Sequence, residues 1–152
     1  MTNQSPLLIA ADHAGFELKE QLRKLRPDLP WEDLGPFNTD RVDYPDYAYK
    51  LAKRITSDAD RGILICGSGQ GMVIGANRFA KVRAALAWTP EIATLSRTHN
   101  DANVLCLASR FTDTETAVKM LDIFLATKFE GGRHQGRVTK LNTPPNDPSE
   151  IS

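Results

Sequence analysis

The sequence predicts an α/β fold built on a five-stranded parallel sheet with helices on both faces. Three observations carry this. Five short apolar runs alternate with amphipathic stretches along the chain, the pattern of strand–helix–strand crossovers. The runs Leu7–Ala11 and Val104–Ala108 are apolar throughout, as strands buried on both faces are. A third run, Gly62–Ile65, ends at Cys66 and passes into the alternating glycines Gly67, Gly69 and Gly71.

The elements follow in order. After strand one, Asp12-His13-Ala14-Gly15 ends the run, and Leu18, Leu22 and Leu25 recur at helical spacing over 16–26. Pro27 and Pro30 close that helix. Trp31–Leu34 is a weaker second strand, stopped by Gly35-Pro36. Pro45 suits a helix first turn, and Ala48, Leu51, Ala52 and Ile55 form its apolar stripe. Beyond the glycine loop, Met72, Val73, Ala76 and Phe79 predict a helix reaching Phe79. Val82–Trp88 reads as strand four. Thr89-Pro90 is an N-cap and first-turn pair for a helix to about Thr98. Thr112 and Glu115 have capping-box spacing ahead of a helix with Ala117, Met120, Leu121, Phe124 and Leu125 on one face. The chain then changes character. Residues 129–141 form a polar, basic arm, and 142–152, rich in Pro, Asn, Asp and Ser, is expected to be frayed or disordered. Residues 1–141 are expected to form one domain.

The totals narrow the function. Nineteen basic residues balance nineteen acidic ones, so no global field recruits nucleic acid or an anionic membrane. No apolar stretch approaches bilayer length, and the segment Met1 to Pro6 lacks the regions of a signal peptide. Two cysteines in 152 residues are no disulfide framework. The expected setting is the reducing cytoplasm, where Cys66 stays a thiol.

Ligands of open parallel sheets bind beyond the C-terminal strand ends, where the strand order reverses. In a flavodoxin-like order that point lies between strands one and three, which brings Asp12-His13 beside Cys66. The glycine loop is G-x-G-x-G, neither the G-x-G-x-x-G of dinucleotide sites nor a Walker loop ending in Gly-Lys-Ser/Thr. A tyrosine-phosphatase loop needs an arginine where Met72 stands. Each residue alone has a plainer reading. Cys66 could be an inert buried thiol, Asp12 a helix cap, and His13 a strand-end histidine. His99 and Asn100 could end a helix, and Arg110 could be a surface residue. Arg133 and Arg137, four apart, could be a solvated helix face. The three histidines lack metal-ligand spacing, and neither metal nor cofactor is expected. A flavodoxin-like nucleotide-binding module would account for the glycine loop but not for the thiol, histidines and arginines together.

Taken jointly, five segments carry a resemblance: Ala11–Gly15, Arg41–Pro45, Cys66–Gly71, Arg97–Leu105 and Gly131–Val138. The chain resembles the type B ribose-5-phosphate isomerases, a family that includes galactose-6-phosphate isomerase subunits, over about Leu7 to Lys140. The resemblance implies a Rossmann-like three-layer α/β/α sandwich, a homodimer that often pairs further to a tetramer, and a site shared between subunits. It implies metal-free aldose–ketose isomerisation through an enediolate. Cys66 would move the proton between C2 and C1. Gly67, Ser68, Gly69 and Gly71 would hold the enediolate oxygen, His99 would open the sugar ring, and Asp12 would assist proton movement at the hydroxyl oxygens. Tyr44 and Asn100 would contact the sugar. His13, Arg110, Arg133 and Arg137 would hold the phosphate, the last two from the partner chain. Some members replace the cysteine with a downstream glutamate. Gln70-Gly71-Met72-Val73-Ile74-Gly75 contains none, so the role falls to Cys66. Ribose 5-phosphate is the expected substrate, with a six-carbon phosphate such as allose or galactose 6-phosphate the near alternative.

Overall fold

A computed structural model describes residues 5–152. The reading of the N-terminal segment as free of a signal peptide rests mainly on 1–4, which fall outside the described residues. Five strands form one all-parallel sheet: β1 (Leu7–Ala11), β2 (Trp31–Asp33), β3 (Arg61–Cys66), β4 (Ala84–Leu86) and β5 (Val104–Ala108), in the order β2-β1-β3-β5-β4. The helices are α1 (Phe16–Leu25), α2 (Tyr44–Ala52), α3 (Gln70–Ala76), α4 (Pro90–Thr98), α5 (Thr114–Ala126) and α6 (Gln135–Asn142).

The sheet separates two apolar layers. Leu18 and Leu22 of α1, Ala93 of α4, and Ala117, Met120, Leu121 and Phe124 of α5 pack on one face against Ile9, Ile63, Ile65, Leu105 and Leu107. Ala48, Leu51 and Ala52 of α2 and Met72 and Ala76 of α3 pack on the other against Leu8, Ala10, Leu64 and Cys106. This is the expected three-layer sandwich, and handedness explains which helix goes where. Right-handed crossovers that move in opposite directions along a sheet must lie on opposite faces. The β1-to-β2 and β4-to-β5 steps run one way, and the β2-to-β3 and β3-to-β4 steps the other.

The assumed order is correct where β1 meets β3 and wrong at the far side, where β5 rather than β4 lies beside β3. The reason is burial. Val104–Ala108 is buried at every position, whereas all three residues of β4 are half-buried, so the drier strand takes the interior place. As the edge strand, β4 is shorter than its apolar run suggests. The Asn77 side chain occupies its free backbone, accepting from Ala84 N at 2.8 Å and donating to Ala84 O at 3.0 Å. The helix leading there stops at Ala76 rather than Phe79. The capping box at Thr112 does not form. Asp113 is the N-cap of α5 and accepts from Thr116 N at 2.7 Å, since a carboxylate one residue nearer the helix satisfies the same orphan donor.

Gly15 closes the turn from β1 into α1, and a Cβ there would stand 2.4 Å from the Ile65 carbonyl oxygen. That neighbour is backbone and cannot swing away. Gly15→Ala is expected to destabilise the fold by about 1–3 kcal/mol, the range of overpacking in a tight interior, read as a lowered urea midpoint with unchanged slope.

Candidate active site

The C-terminal ends of β1, β3 and β5 are tied together by their own backbones. Asp12 N donates to Ile65 O at 3.1 Å, Ser109 N to Cys66 O at 2.9 Å, and Arg110 N to Gly67 O at 3.1 Å. Ser109 Oγ donates to Ala14 O at 2.9 Å, closing the ring between β5 and the turn after β1. A cavity of about 390 Å³ opens at this end, lined by Asp12, His13, Ala14, Tyr44, Cys66, Gly67, Ser68, Gly71, Arg110 and Phe111. A larger depression of about 730 Å³ lies elsewhere, between Arg41, Tyr47, Lys50 and Phe79; it contains no thiol, and the convergent strand ends point to the smaller one.

The lining is built for directed polar contacts. Cys66 is 4% exposed and ends the buried strand, so its thiol meets the cavity at the edge of the dry core. Asp12 is 7% exposed, and its Oδ1 accepts from Gly15 N at 3.0 Å, which holds the carboxylate in place. His13 Nδ1 accepts from Val42 N at 3.2 Å. An imidazole nitrogen that accepts carries no proton, so in the neutral ring the proton sits on Nε2 as a donor.

The glycines serve different ends. A Cβ at Gly67 would stand 3.2 Å from the Arg110 guanidinium carbon, and one at Gly71 would stand 2.6 Å from the Tyr44 ring. Both glycines let a large side chain lie against bare backbone. Gly69 does not line the cavity. It is the N-cap of α3 at φ 74°, a left-handed turn that glycine adopts without steric cost, and a Cβ there would stand 2.4 Å from Leu86. Its part is to shape the loop. The second cysteine plays none here: Cys106 is wholly buried, and that burial, with Cys66 as a smaller influence, pushes its thiol pKa up.

Besides Gly69, four predicted residues are absent from this cavity. The sheet is parallel, so α4 runs back from the C-terminal to the N-terminal end, and His99 and Asn100 stand just before β5 begins. Glu130 N donates to Thr98 O at 3.1 Å, and Arg83 Nη1 at the start of β4 donates to Asn142 Oδ1 at 2.9 Å. The basic arm is therefore pinned at that same N-terminal end. The four residue steps of β3 from Gly62 to Cys66 alone span about 13 Å. Within one chain, Cys66 on one side and His99, Asn100, Arg133 and Arg137 on the other lie at opposite ends of the sheet.

The arm also departs from its expected form. Arg133 sits in a 3-10 turn, Gly132–His134, that runs straight into α6, which carries Arg137; the positive φ of Gly131 and Gly132, 68° and 55°, sets this stretch off from the chain before it. Nor is the arm wholly unpacked: His134 and Val138 are buried. Residues 143–152 are exposed throughout and carry one 3-10 turn, Pro148–Glu150. Phe111 also lines the cavity, beyond the residues the sequence points to. The signal was its place one residue past Arg110, at the end of a buried strand.

The sequence pattern of the Ribose/Galactose Isomerase family matches residues 7–141. The chain belongs to that family. It is 46% identical over 145 residues to a probable ribose-5-phosphate isomerase B of Mycoplasma pneumoniae, covering 93% of this chain and 95% of the relative. It is 42% identical over 138 residues to ribose-5-phosphate isomerase B of Escherichia coli, covering 89% and 93%. Among solved structures it is similar to a ribose 5-phosphate isomerase of Thermotoga maritima, with a TM-score of 0.87 at 46% identity over 91% of this chain and 98% of that one. It is also similar to ribose-5-phosphate isomerase B of Mycoplasma genitalium with bound ribulose-5-phosphate, with a TM-score of 0.85 at 42% identity over 90% and 93%. No helix among the described residues is long and apolar enough to cross a membrane.

Proposed function

We propose that this isomerase interconverts ribose 5-phosphate and ribulose 5-phosphate through an enediolate, with Cys66 as the base. The observation that carries the reading is the placement of the Cys66 thiol at the floor of a polar cavity, between the Asp12 carboxylate, the bare backbone of Gly67 and Gly71, and the Arg110 guanidinium. A thiol is a usable base near neutral pH, being a few per cent ionised even without help. Removing a proton beside a carbonyl builds charge on oxygen, and fixed donors at that oxygen are worth about 3–4 kcal/mol each. In this scheme Ser68 and the loop amides meet the enediolate oxygen, Asp12 relays protons between hydroxyl oxygens, and Tyr44 covers the sugar. His13 Nε2–H and Arg110 bind phosphate, remote from the reacting carbons, where binding energy is converted into orientation.

We further propose that the working unit is a homodimer with two equivalent sites. A two-fold axis places the N-terminal end of one sheet over the C-terminal end of its partner, twice. The partner's copies of His99, Asn100, Arg133 and Arg137 then complete each cavity, opening the sugar ring, holding the sugar and gripping the phosphate. Large exposed aromatics support this. Phe37, Trp88 and Phe111, at 74%, 58% and 78% exposure, follow the C-terminal ends of β2, β4 and β5, and such groups at one end of a domain mark a surface that another chain covers. The reaction needs no metal in this scheme. Two unpaired cysteines suit a reducing, cytoplasmic setting.

An activity screen over five- and six-carbon aldose phosphates, with and without chelator, tests the reading. Ribose 5-phosphate should turn over fastest and chelator should not lower the rate. A preference for allose or galactose 6-phosphate would move the substrate within the same chemistry, and loss of rate with chelator would overturn the metal-free scheme. Arg110→Ala should raise KM about 10–100-fold, the loss of one charge-assisted contact of roughly 1.5–3 kcal/mol, with a smaller change in kcat. An unchanged KM would remove Arg110 from the phosphate site.

A further inference from the structure

Behind His99 lies a group of side chains that the isomerase scheme leaves unused. His134 stacks on His99 with ring centroids 4.2 Å apart and an 18° angle between planes. Glu130 lies beside them, and one ligand atom each from His99, Glu130 and His134 fall within 4.8 Å of one another. Independently of that spacing, His134 is 5% exposed and its Nε2 is buried without a hydrogen-bond partner. The nearest carboxylate oxygen, Glu130 Oε2, is 3.8 Å away, beyond hydrogen-bond reach. A buried polar atom left unpaired is costly and rare.

We propose that His99, Glu130 and His134 form a binding site for a transition-metal dication of the Zn²⁺ class, and that its occupation withdraws His99 from ring opening. The second half rests on the isomerase reading above; the first does not. Two imidazole nitrogens and a carboxylate oxygen are a zinc donor set that leaves a fourth position open. Zinc bonds of about 2.0–2.2 Å require the three atoms to close in by an ångström or more. His99 is half-buried and Glu130 exposed, so both can move while His134 stays anchored. The positive-φ pair Gly131 and Gly132 turns the chain so that Glu130 and His134 face one another.

Metal binding and the histidine stack exclude each other. A coordinated metal lies in the plane of each imidazole it binds, and two nearly parallel rings share no such point nearby. Binding must therefore rotate His99 out of the stack and occupy a ring nitrogen, leaving it unable to handle protons. Arg133 and Arg137 oppose any cation held by charge alone. The site is accordingly selective for metals that form directed bonds to nitrogen, and it disfavours Mg²⁺ and Ca²⁺.

The test uses the chelator-stripped full-length protein, with Co²⁺ titration followed by visible absorbance and Zn²⁺ titration by calorimetry. One site per chain is expected, with no heat from Mg²⁺ and no sulfur-to-cobalt charge-transfer band. Glu130→Gln, at an exposed position, should weaken binding about tenfold or more, keep basal turnover, and weaken Zn²⁺ inhibition by the same factor. His134→Phe, which preserves the stack, should weaken binding at least as much as the ~100-fold cost of losing an outer-shell partner. Equal affinity in all three proteins, or a thiolate band showing that Cys66 holds the metal, would overturn the site. Tight binding that leaves turnover unchanged would overturn the withdrawal of His99. A protein with no isomerase activity on any sugar phosphate would sink the catalytic reading, while the absorbance data would still decide the metal site.

Discussion

Cys66→Ala is expected to lower kcat by roughly 10²–10⁴-fold, the usual contribution of a positioned general base, while a phosphorylated inhibitor binds nearly as well as before. The split follows from the cavity. Cys66 sits at the strand end, where the reacting carbons would lie, whereas the groups proposed to hold the phosphate, His13 and Arg110, line the same cavity from other elements. Removing this sulfur would delete the proposed base and little of the binding surface. Cys106 supplies the control. It is fully buried in the middle of β5, so Cys106→Ala should cost stability through a small cavity and leave the rate almost unchanged. Turnover near the wild-type level in Cys66→Ala would reject the thiol as base.

Mixing two inactive variants should restore activity. Cys66→Ala and His99→Ala are each expected to be nearly inert, since each removes a proposed catalytic group, and in the proposed dimer each composite site would draw Cys66 from one chain and His99 from the other. After the two are unfolded and refolded together, random pairing makes about half of the dimers mixed. In each mixed dimer one site carries both lesions and the other carries neither, by the reciprocity of a two-fold interface. About a quarter of wild-type activity should return. If both residues served the same site from one chain, mixing would restore nothing, and the dimer proposal would fail. The opposite placement of the two residues along the sheet makes that outcome geometrically difficult: about 13 Å of strand separates the turn before β5 from the end of β3.

Much of this was legible in the amino-acid sequence. The apolar run from Gly62 stopping at Cys66, the paired helix signals Thr89-Pro90, and the fully apolar Val104–Ala108 are local features, and local rules read them well. Thr89 does cap α4, accepting from Ile92 N at 3.2 Å. Reading failed where two local solutions compete on nearly equal terms, as between Thr112 and Asp113 at the start of α5. It also failed at β4, where propensity favoured a longer strand than the edge position supports.

By itself the sequence determined the α/β class, the thiol before the glycine loop, and the set of residues that carries the family resemblance, because periodicity, residue chemistry and spacing are written locally. Only the tertiary structure decided which of those residues meet. The exchange of β5 and β4 in the sheet puts Arg110 over Gly67, and the antiparallel return of α4 carries His99 to the far end. The same return, with the turn at Gly131 and Gly132, lays His134 on His99 with its Nε2 unpaired. Strand order depends on which strand is driest and which crossover is right-handed, a competition among all the elements at once, and no single segment records its result.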